Sequence, residues 1–372
     1  MRRDARRGKY GRLPTMKTIV LTGGGTAGHI TPNIALIPRL RQAGFDIKYI
    51  GLRGGMEEKL IKELGVSFYG ISGGKLRRYV DLKNLTDVFK VSAGYFQALG
   101  LLRRLKPDIV FSKGGYVSTP VVWAASIRRI PVVSHESDMT MGLANRLSAP
   151  FAKKICYTFP ETGASIKDGK GVYTGLPIRQ ELTQGDRGHG LRRCGFDPAK
   201  PVVLVIGGSQ GSEFINKTVR ASLDILLTIF SVCHITGKGN LDSSLDGREG
   251  YRQFEYVTSE LPDLFAMADV VVTRGGATSI FELLALDKPN IIIPYSLKAS
   301  RGDQIINAES FKKQGFSEVI AESGATPKIF LDTITQVYND RERYAAAMRA
   351  CPARNGLDNV MKVICGEAGV KC

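Results

Sequence analysis

Two α/β domains, each a Rossmann-like, doubly wound parallel sheet, are predicted by three observations. Short runs of β-branched and aliphatic residues recur along the chain, nearly continuously apolar as strands covered on both faces must be. Amphipathic stretches fill most of the gaps, so strand and helix alternate as in βαβ units. The 372 residues are enough for two cores, and one strand series ends near Tyr173 while another begins near Pro201.

In chain order, strands are expected at 18–22, 47–51, 109–112, 131–134 and 154–157, then at 202–206, 231–236, 270–273 and 290–294. The boundary is placed at 175–200, where Thr174-Gly175-Leu176-Pro177 and the polar stretch 184–190 break the pattern. This divides the chain into a basic tail (1–15), an N-terminal domain (16–175) and a C-terminal domain (176–372), with the last helix expected to pack back on the N-terminal domain. Met16 directly precedes the first strand and reads as an alternative start, which would make the tail non-native.

The formal charge of +17 is unevenly spread, at +5 in the tail, +12 in the N-terminal domain and 0 in the C-terminal one. Such a basic half suits nucleic acid, an anionic membrane or a pyrophosphate substrate. No apolar run reaches the ~20 residues of a membrane span, because Asp87 and Lys90 interrupt 85–102 and Arg128 ends the run after Pro120. The Arg-rich tail has no apolar segment behind it, so it is not a secretory signal. Six Cys without CxxC pairing or regular spacing read as reduced thiols rather than a disulfide frame or a zinc site.

Four glycine-rich loops follow predicted strands, at 23–29, 113–116, 207–212 and 274–279. Ligands of open α/β sheets bind beyond the strand C-terminal ends, where glycine lets backbone N–H groups approach phosphate. Two such loops per domain imply a cleft between the domains. The first loop formally matches GxGxxG, but strand 47–51 is followed by Leu52 and Arg53 rather than a ribose-binding acid, which argues against a nicotinamide cofactor. No loop carries the Gly-Lys-Ser/Thr of a nucleotide hydrolase.

His29 closes the first loop at the start of a helix expected from Ile30 onward, with Pro32 in its first turn. The helix dipole disfavours imidazolium there, which suits a general base. Glu282, two turns into the helix after Arg274-Gly275-Gly276, is placed to accept bonds from ribose hydroxyls, although Glu282 alone reads more simply as an exposed helix residue. No Asp-x-Asp occurs in the chain, so no metal ligands are assigned and the charge of a leaving diphosphate falls to helix N-termini and a cation such as Arg179.

Together the motifs resemble the MurG family of peptidoglycan N-acetylglucosaminyltransferases. The resemblance rests on GGGTAGHITP (23–32), KGGYVSTP (113–120), HESDMTMGLANR (135–146), TGLPIR (174–179), GGSQGS (207–212), RGGATSIFE (274–282) and DQIINA (303–308), in the family's order. It implies a GT-B architecture and inverting, metal-independent transfer of GlcNAc from UDP-GlcNAc to the 4-hydroxyl of MurNAc in lipid I, giving lipid II. His29 would be the base, with Glu136 the second candidate for base or for orienting the acceptor. Thr26, Ala27 and Gly28 would line the sugar side. Arg179 and Ser209 would meet the nucleotide or its diphosphate. Ala277, Thr278, Ser279, Ile280, Phe281 and Glu282 would hold phosphate, uridine and ribose, and Gln304 the GlcNAc hydroxyls. Where many members read His-Glu-Gln-Asn, this chain has His135-Glu136-Ser137-Asp138, so at Asp138 an acceptor-only carboxylate replaces a sugar-binding amide.

The resemblance further implies no cofactor and no nucleic acid. The expected partners are UDP-GlcNAc, lipid I, an anionic membrane surface and other cell-wall synthesis proteins, and the expected location is the cytoplasmic face of the bacterial membrane. Residues 75–79 and the amphipathic stretch 82–105, with Phe89 and Phe96, would meet the lipid, although much of that stripe and Trp123 read as core. The alternatives are another lipid glycosyltransferase on this scaffold, such as a diacylglycerol glucosyltransferase, and a basic nucleic-acid-binding module.

Overall fold

The computed structural model describes residues 16–74, 83–208, 210–297 and 302–372, with side chains undescribed at Ala27 and 83–88. The basic tail, the cluster 75–79 and Ser209 therefore lie outside the described residues. Two all-parallel sheets organise the rest. The first contains β1 (Thr18–Thr22), β2 (Asp46–Leu52), β3 (Ser67–Ile71), β4 (Ile109–Ser112), β5 (Val132–Glu136), β6 (Lys154–Tyr157) and β7 (Gly171–Tyr173), in the order β3-β2-β1-β4-β5-β6-β7. The second contains β8 (Val202–Ile206), β9 (Ser231–Ile235), β10 (Tyr251–Phe254), β11 (Val270–Thr273), β12 (Asn290–Ile292) and β13 (Ser317–Val319), in the order β10-β9-β8-β11-β12-β13.

The winding direction reverses between β1 and β4 in one sheet and between β8 and β11 in the other. A crevice opens at such a reversal, because the connections on either side depart to opposite faces. The four glycine loops follow these four strands, so sheet topology alone puts all of them at the two crevices.

All nine expected strands are present, with ends differing by up to two residues. The four strands absent from the sequence reading, β3, β7, β10 and β13, are the edge strands of the two sheets. Each has one neighbour, and sequences such as Tyr251-Arg252-Gln253-Phe254 and Ser317-Glu318-Val319 lack the continuous apolar run of a central strand.

Helices cover both faces of each sheet. On the first, the helix Lys83–Leu105 buries Val91, Ala98 and Leu102, and its neighbour Ser118–Ile127 buries Val121, Val122, Ala124 and Ala125. Phe89 and Phe96, seven residues apart, stay 70% and 68% exposed. Trp123 is half-buried and donates its indole N–H to the Leu147 carbonyl at 3.2 Å. Among the described residues no helix is long and apolar enough to cross a membrane.

The opposite face is packed by the helix Ala27–Gln42 and by the last helix, Gly356–Ala368, whose Leu357, Val360, Met361, Ile364 and Ala368 join the core of the first sheet. Burying each large aliphatic side chain contributes about 1.5–3 kcal/mol, so this return crossing binds the chain's end firmly to its beginning. Arg39 and Asp358 add an ion pair at 2.8 Å. One cysteine expectation is corrected here. The last helix ends at Gly369 with φ 66°, the chain turns back, and Cys372 forms a disulfide with Cys365, while Cys156, Cys194, Cys233 and Cys351 are free thiols.

Candidate active site

The first glycine loop leads from β1 into a helix that begins at Ala27 rather than Ile30, so His29 sits in its first turn and Pro32 falls in its interior. Thr26 precedes the helix in an extended conformation, and both Thr26 and Gly28 are exposed. The loop is held from below. Tyr49 Oη donates to the Gly23 carbonyl at 2.7 Å, and Asn33 Nδ2 donates to Tyr49 Oη at 3.1 Å. The second loop locks against it, since Gly115 has φ +85° and a Cβ there would lie 2.4 Å from the Gly24 carbonyl oxygen. Only glycine meets both conditions.

This contact brings the His29 ring beside Gly115 and the backbone of Lys113. The His29 pKa is lowered to about 4, first by burial and then by the charge of the Lys113 ammonium, with a bond to the Lys113 backbone partly opposing both. Burial and a neighbouring cation thus add to the helix start in keeping the ring neutral. Its buried Nδ1 makes no hydrogen bond.

Glu136 ends β5 and is 2% exposed. Its Oε1 accepts from the Asp138 N–H at 3.0 Å, and its Oε2 accepts from the Gly142 N–H at 3.0 Å and Asn145 Nδ2 at 2.9 Å. The carboxylate thus organises loop 137–142 and has its bonding capacity largely committed. His135, fully buried, bonds the Gly175 carbonyl through Nε2 at 2.9 Å, and burial holds it well below its usual pKa. Asp138 stays open to the cleft although protein walls it on most sides. Its carboxyl is pushed up to about 6 by that crowding and by the charges of Glu136 and Asp303, with Lys113 opposing. Asp303 immediately precedes Gln304, so the Glu136–Asp138 loop of the N-terminal domain faces the Gln304 helix of the C-terminal one.

On the C-terminal side, Arg179 Nη2 lies 3.4 Å from Glu282 Oε1, joining two predicted site residues from distant parts of the sequence. Glu282 is only 7% exposed, which corrects the reading of an exposed helix residue, and its burial raises its pKa. It belongs to the helix Ala277–Ala285, whose first residues Ala277, Thr278 and Ser279 are half-buried and carry the N–H groups that a helix start leaves unpaired. The Ile280 N–H is already spent on the Gly276 carbonyl at 3.1 Å. Ile280 and Phe281 point their side chains into the core, Phe281 packing edge-on against Phe159 and Phe311, which leaves them no side-chain role in the cleft. Gln304 Oε1 accepts from the Tyr295 N–H at 3.3 Å.

Several supporting residues carried no role in the sequence reading. Lys113 was visible only as part of a glycine motif. Arg274, 4% exposed, clamps the third and fourth loops, since its guanidinium reaches Ser212 Oγ at 2.5 Å, the Ile293 carbonyl at 2.9 Å and Glu322 at 2.8 Å, and stacks 4.0 Å from the Tyr295 ring centre. A cavity of about 580 Å³ opens beside Arg179 and is lined also by Ile34, Pro38, Gln180, Thr258 and Ser259. That volume is within the range of small-molecule sites. Among the described residues no three His, Cys, Asp or Glu side chains are grouped so that they could hold a metal ion.

Residues 19–157 match the glycosyltransferase family 28 N-terminal domain and residues 202–364 its C-terminal domain. The chain belongs to glycosyltransferase family 28. Its relatives in that family include the UDP-N-acetylglucosamine–N-acetylmuramyl-(pentapeptide) pyrophosphoryl-undecaprenol N-acetylglucosamine transferase of Clostridium kluyveri, 54% identical over 94% of this chain and 99% of the relative. The protein of the same name from Clostridium tetani is 53% identical over 94% and 97%. Among solved structures, Acinetobacter baumannii MurG aligns over 94% of this chain and 99% of its own with a TM-score of 0.75 at 23% identity, a likeness of fold. For a family 28 enzyme, both matched domains contain one sheet reversal with its two glycine loops.

Proposed function

We propose that the protein transfers GlcNAc from UDP-GlcNAc to the 4-hydroxyl of MurNAc in undecaprenyl-pyrophosphoryl-MurNAc-pentapeptide, the reaction of lipid I to lipid II. The observation that carries this reading is the pairing of a neutral, half-buried His29 on one side of the cleft with the Arg179–Glu282 contact and an open helix start on the other, in a chain more than half identical to transferases of that name. Glu282 accepts bonds from the ribose hydroxyls. Arg179 and the N–H groups of Ala277, Thr278 and Ser279 meet the diphosphate. The cavity beside Arg179 has room for the nucleoside. Gln304 binds the sugar hydroxyls, with Thr26, Ala27 and Gly28 closing the sugar from the acceptor side.

His29 takes the proton of the acceptor hydroxyl as that oxygen attacks C1 in line and UDP leaves with the bonding pair. One displacement inverts the anomeric centre. Charge building on the leaving diphosphate is met by the guanidinium of Arg179 and the helix start. Glu136, already committed to three hydrogen bonds, orients the acceptor loop rather than removing a proton. The enzyme works at the cytoplasmic face of the membrane, where the N-terminal domain's charge and the exposed Phe89 and Phe96 meet anionic lipid and other cell-wall synthesis proteins are its neighbours.

Donor competition tests the assignment. UDP-GlcNAc is expected to react faster than UDP-glucose, with turnover unchanged by chelator. Preference for UDP-glucose on a diacylglycerol acceptor would instead make the protein a lipid glucosyltransferase.

A further inference from the structure

Lys113 is an unusual residue to find at the base of a cleft. Its side chain is fully buried, and its Nζ makes no hydrogen bond. Burial lowers the pKa of an ammonium so placed, and the nearby charges of Glu136 and Asp138 oppose that shift and favour the charged form. Its backbone is fixed, since its N–H donates to the Thr22 carbonyl at 2.9 Å and its Cβ would be 3.0 Å from a Cβ at Gly23. The side chain therefore stands beneath the junction of the two N-terminal glycine loops. Strand register sets Ser112 beside Ser134, so Lys113 follows next to the His135–Glu136 end of β5; Gly114 abuts Asn145, a Glu136 donor, and Gly115 abuts the His29 ring. The charged and titratable groups clustered there are the carboxylates of Glu136 and Asp138 and the rings of His29 and His135, while Asp303 faces Asp138 from the C-terminal domain.

Glu136 has three donors for its oxygens, but all are neutral amide groups, so its negative charge is not balanced by them. Asp138 adds a second negative charge on the same loop and Asp303 a third from across the cleft. Among the described residues, Lys113 is the cation whose charge acts on Asp138.

We propose that Lys113 is a positioning residue whose buried ammonium is the counter-charge holding the Glu136–Asp138 loop in its working form beside His29. It touches neither donor nor acceptor. It acts by keeping Asp138 a carboxylate at the cleft surface, where that group accepts hydrogen bonds from the acceptor, and by keeping a proton off His29. Both effects have the same sign. Removing the cation makes Asp138 easier to protonate and His29 easier to protonate, and either change reduces the active form at low pH. This inference rests on the acceptor-side reading given above.

The test is the pH profile of kcat/KM for GlcNAc transfer to a soluble lipid I analogue by the wild type, Lys113→Met, which keeps the volume and removes the charge, and Lys113→Arg, which keeps the charge. A neighbouring opposite charge holds a carboxyl's pKa down by about one unit. Lys113→Met is therefore expected to move the acid limb upward, so that its loss relative to wild type is about tenfold greater at pH 5.5 than at pH 8. Lys113→Arg is expected to leave the limb where the wild type has it, whatever its absolute rate. UDP affinity, which belongs to the other domain, is expected to be unchanged in both and reports that the variants are folded.

An equal loss at both pH values would mean that Lys113 only packs, and a limb that moves in Lys113→Arg with the charge retained would also overturn the proposal. Should Lys113→Met lose UDP binding through misfolding, Lys113→Gln, shorter and also uncharged, takes its place in the same comparison, with the same upward move of the acid limb expected and an equal loss at both pH values overturning the proposal. Absence of transfer by the wild type would instead defeat the acceptor assignment itself, a result distinct from either.

Discussion

His29 keeps its basic lone pair at neutral pH because its half-buried ring lies beside the Lys113 ammonium, and this fixes what its removal and its titration should do. With a pKa of about 4, the ring is neutral above pH 5 and is protonated only as the pH falls through 4. Loss of a base of this kind typically costs 10² to 10⁴ in rate. His29→Ala is expected to lower kcat by about that range, with the UDP dissociation constant nearly unchanged in a titration calorimeter. Near-normal turnover would remove the histidine from the chemistry. Glu282→Ala should do the reverse and weaken UDP binding by roughly tenfold or more, since a buried charged acceptor is lost from the ribose. An unchanged UDP dissociation constant would end that assignment. The sequence pointed to both residues through their motifs, but it did not show that Glu282 is buried against Arg179 or that the backbone of Lys113 lies beside the His29 ring. Those facts depend on tertiary contacts between segments far apart in the chain.

At the scale of elements, the glycine loops are as much packing devices as ligand cradles. Gly115 combines φ +85° with a 2.4 Å approach to the Gly24 carbonyl, so Gly115→Ala must strain the backbone and separate the two loops. A destabilisation of about 1–3 kcal/mol is expected, read as a fall in thermal midpoint together with lost activity. An unchanged midpoint would show that the loops do not depend on that contact.

The central strands and these loops were legible because a strand buried on both faces must be apolar throughout and a tight strand-to-helix turn must carry glycine. The edge strands β3, β7, β10 and β13 were not, because a strand with one neighbour and an exposed side tolerates residues such as Arg252 and Glu318. The helix Lys83–Leu105 divides in the same way. Its Val91, Ala98 and Leu102 are core, while Phe89 and Phe96 are left exposed by the described residues. Replacing both phenylalanines by Ser is expected to lower binding to vesicles containing anionic lipid severalfold, measured by sedimentation, without changing transfer to a soluble acceptor. Unaltered sedimentation would place the membrane contact elsewhere.

Across the whole molecule, charge and chemistry are divided between the two sheets. The N-terminal domain has +12 and contains His29, Glu136, Asp138 and Lys113, while the neutral C-terminal domain contains Glu282, Gln304 and the open helix start. The chain couples the two by returning its last helix to the first sheet and by placing Phe159 and Glu161 against the C-terminal domain, where Ser310 Oγ donates to Glu161 Oε1 at 3.0 Å. Alternating strands and helices predicted two doubly wound domains, because sheet connectivity follows from that rhythm. The disulfide between Cys365 and Cys372 was not visible in cysteine spacing, since it depends on where the last helix turns.

In the proposed mechanism these two halves serve one transfer. The most direct measurement follows labelled GlcNAc from UDP-GlcNAc onto a lipid I analogue, with the anomeric configuration of the product read by NMR. A β-linked GlcNAc on the MurNAc 4-hydroxyl, released with one UDP per turnover, is the predicted result. No transfer to that acceptor, or a product with the donor's α configuration retained, would contradict it.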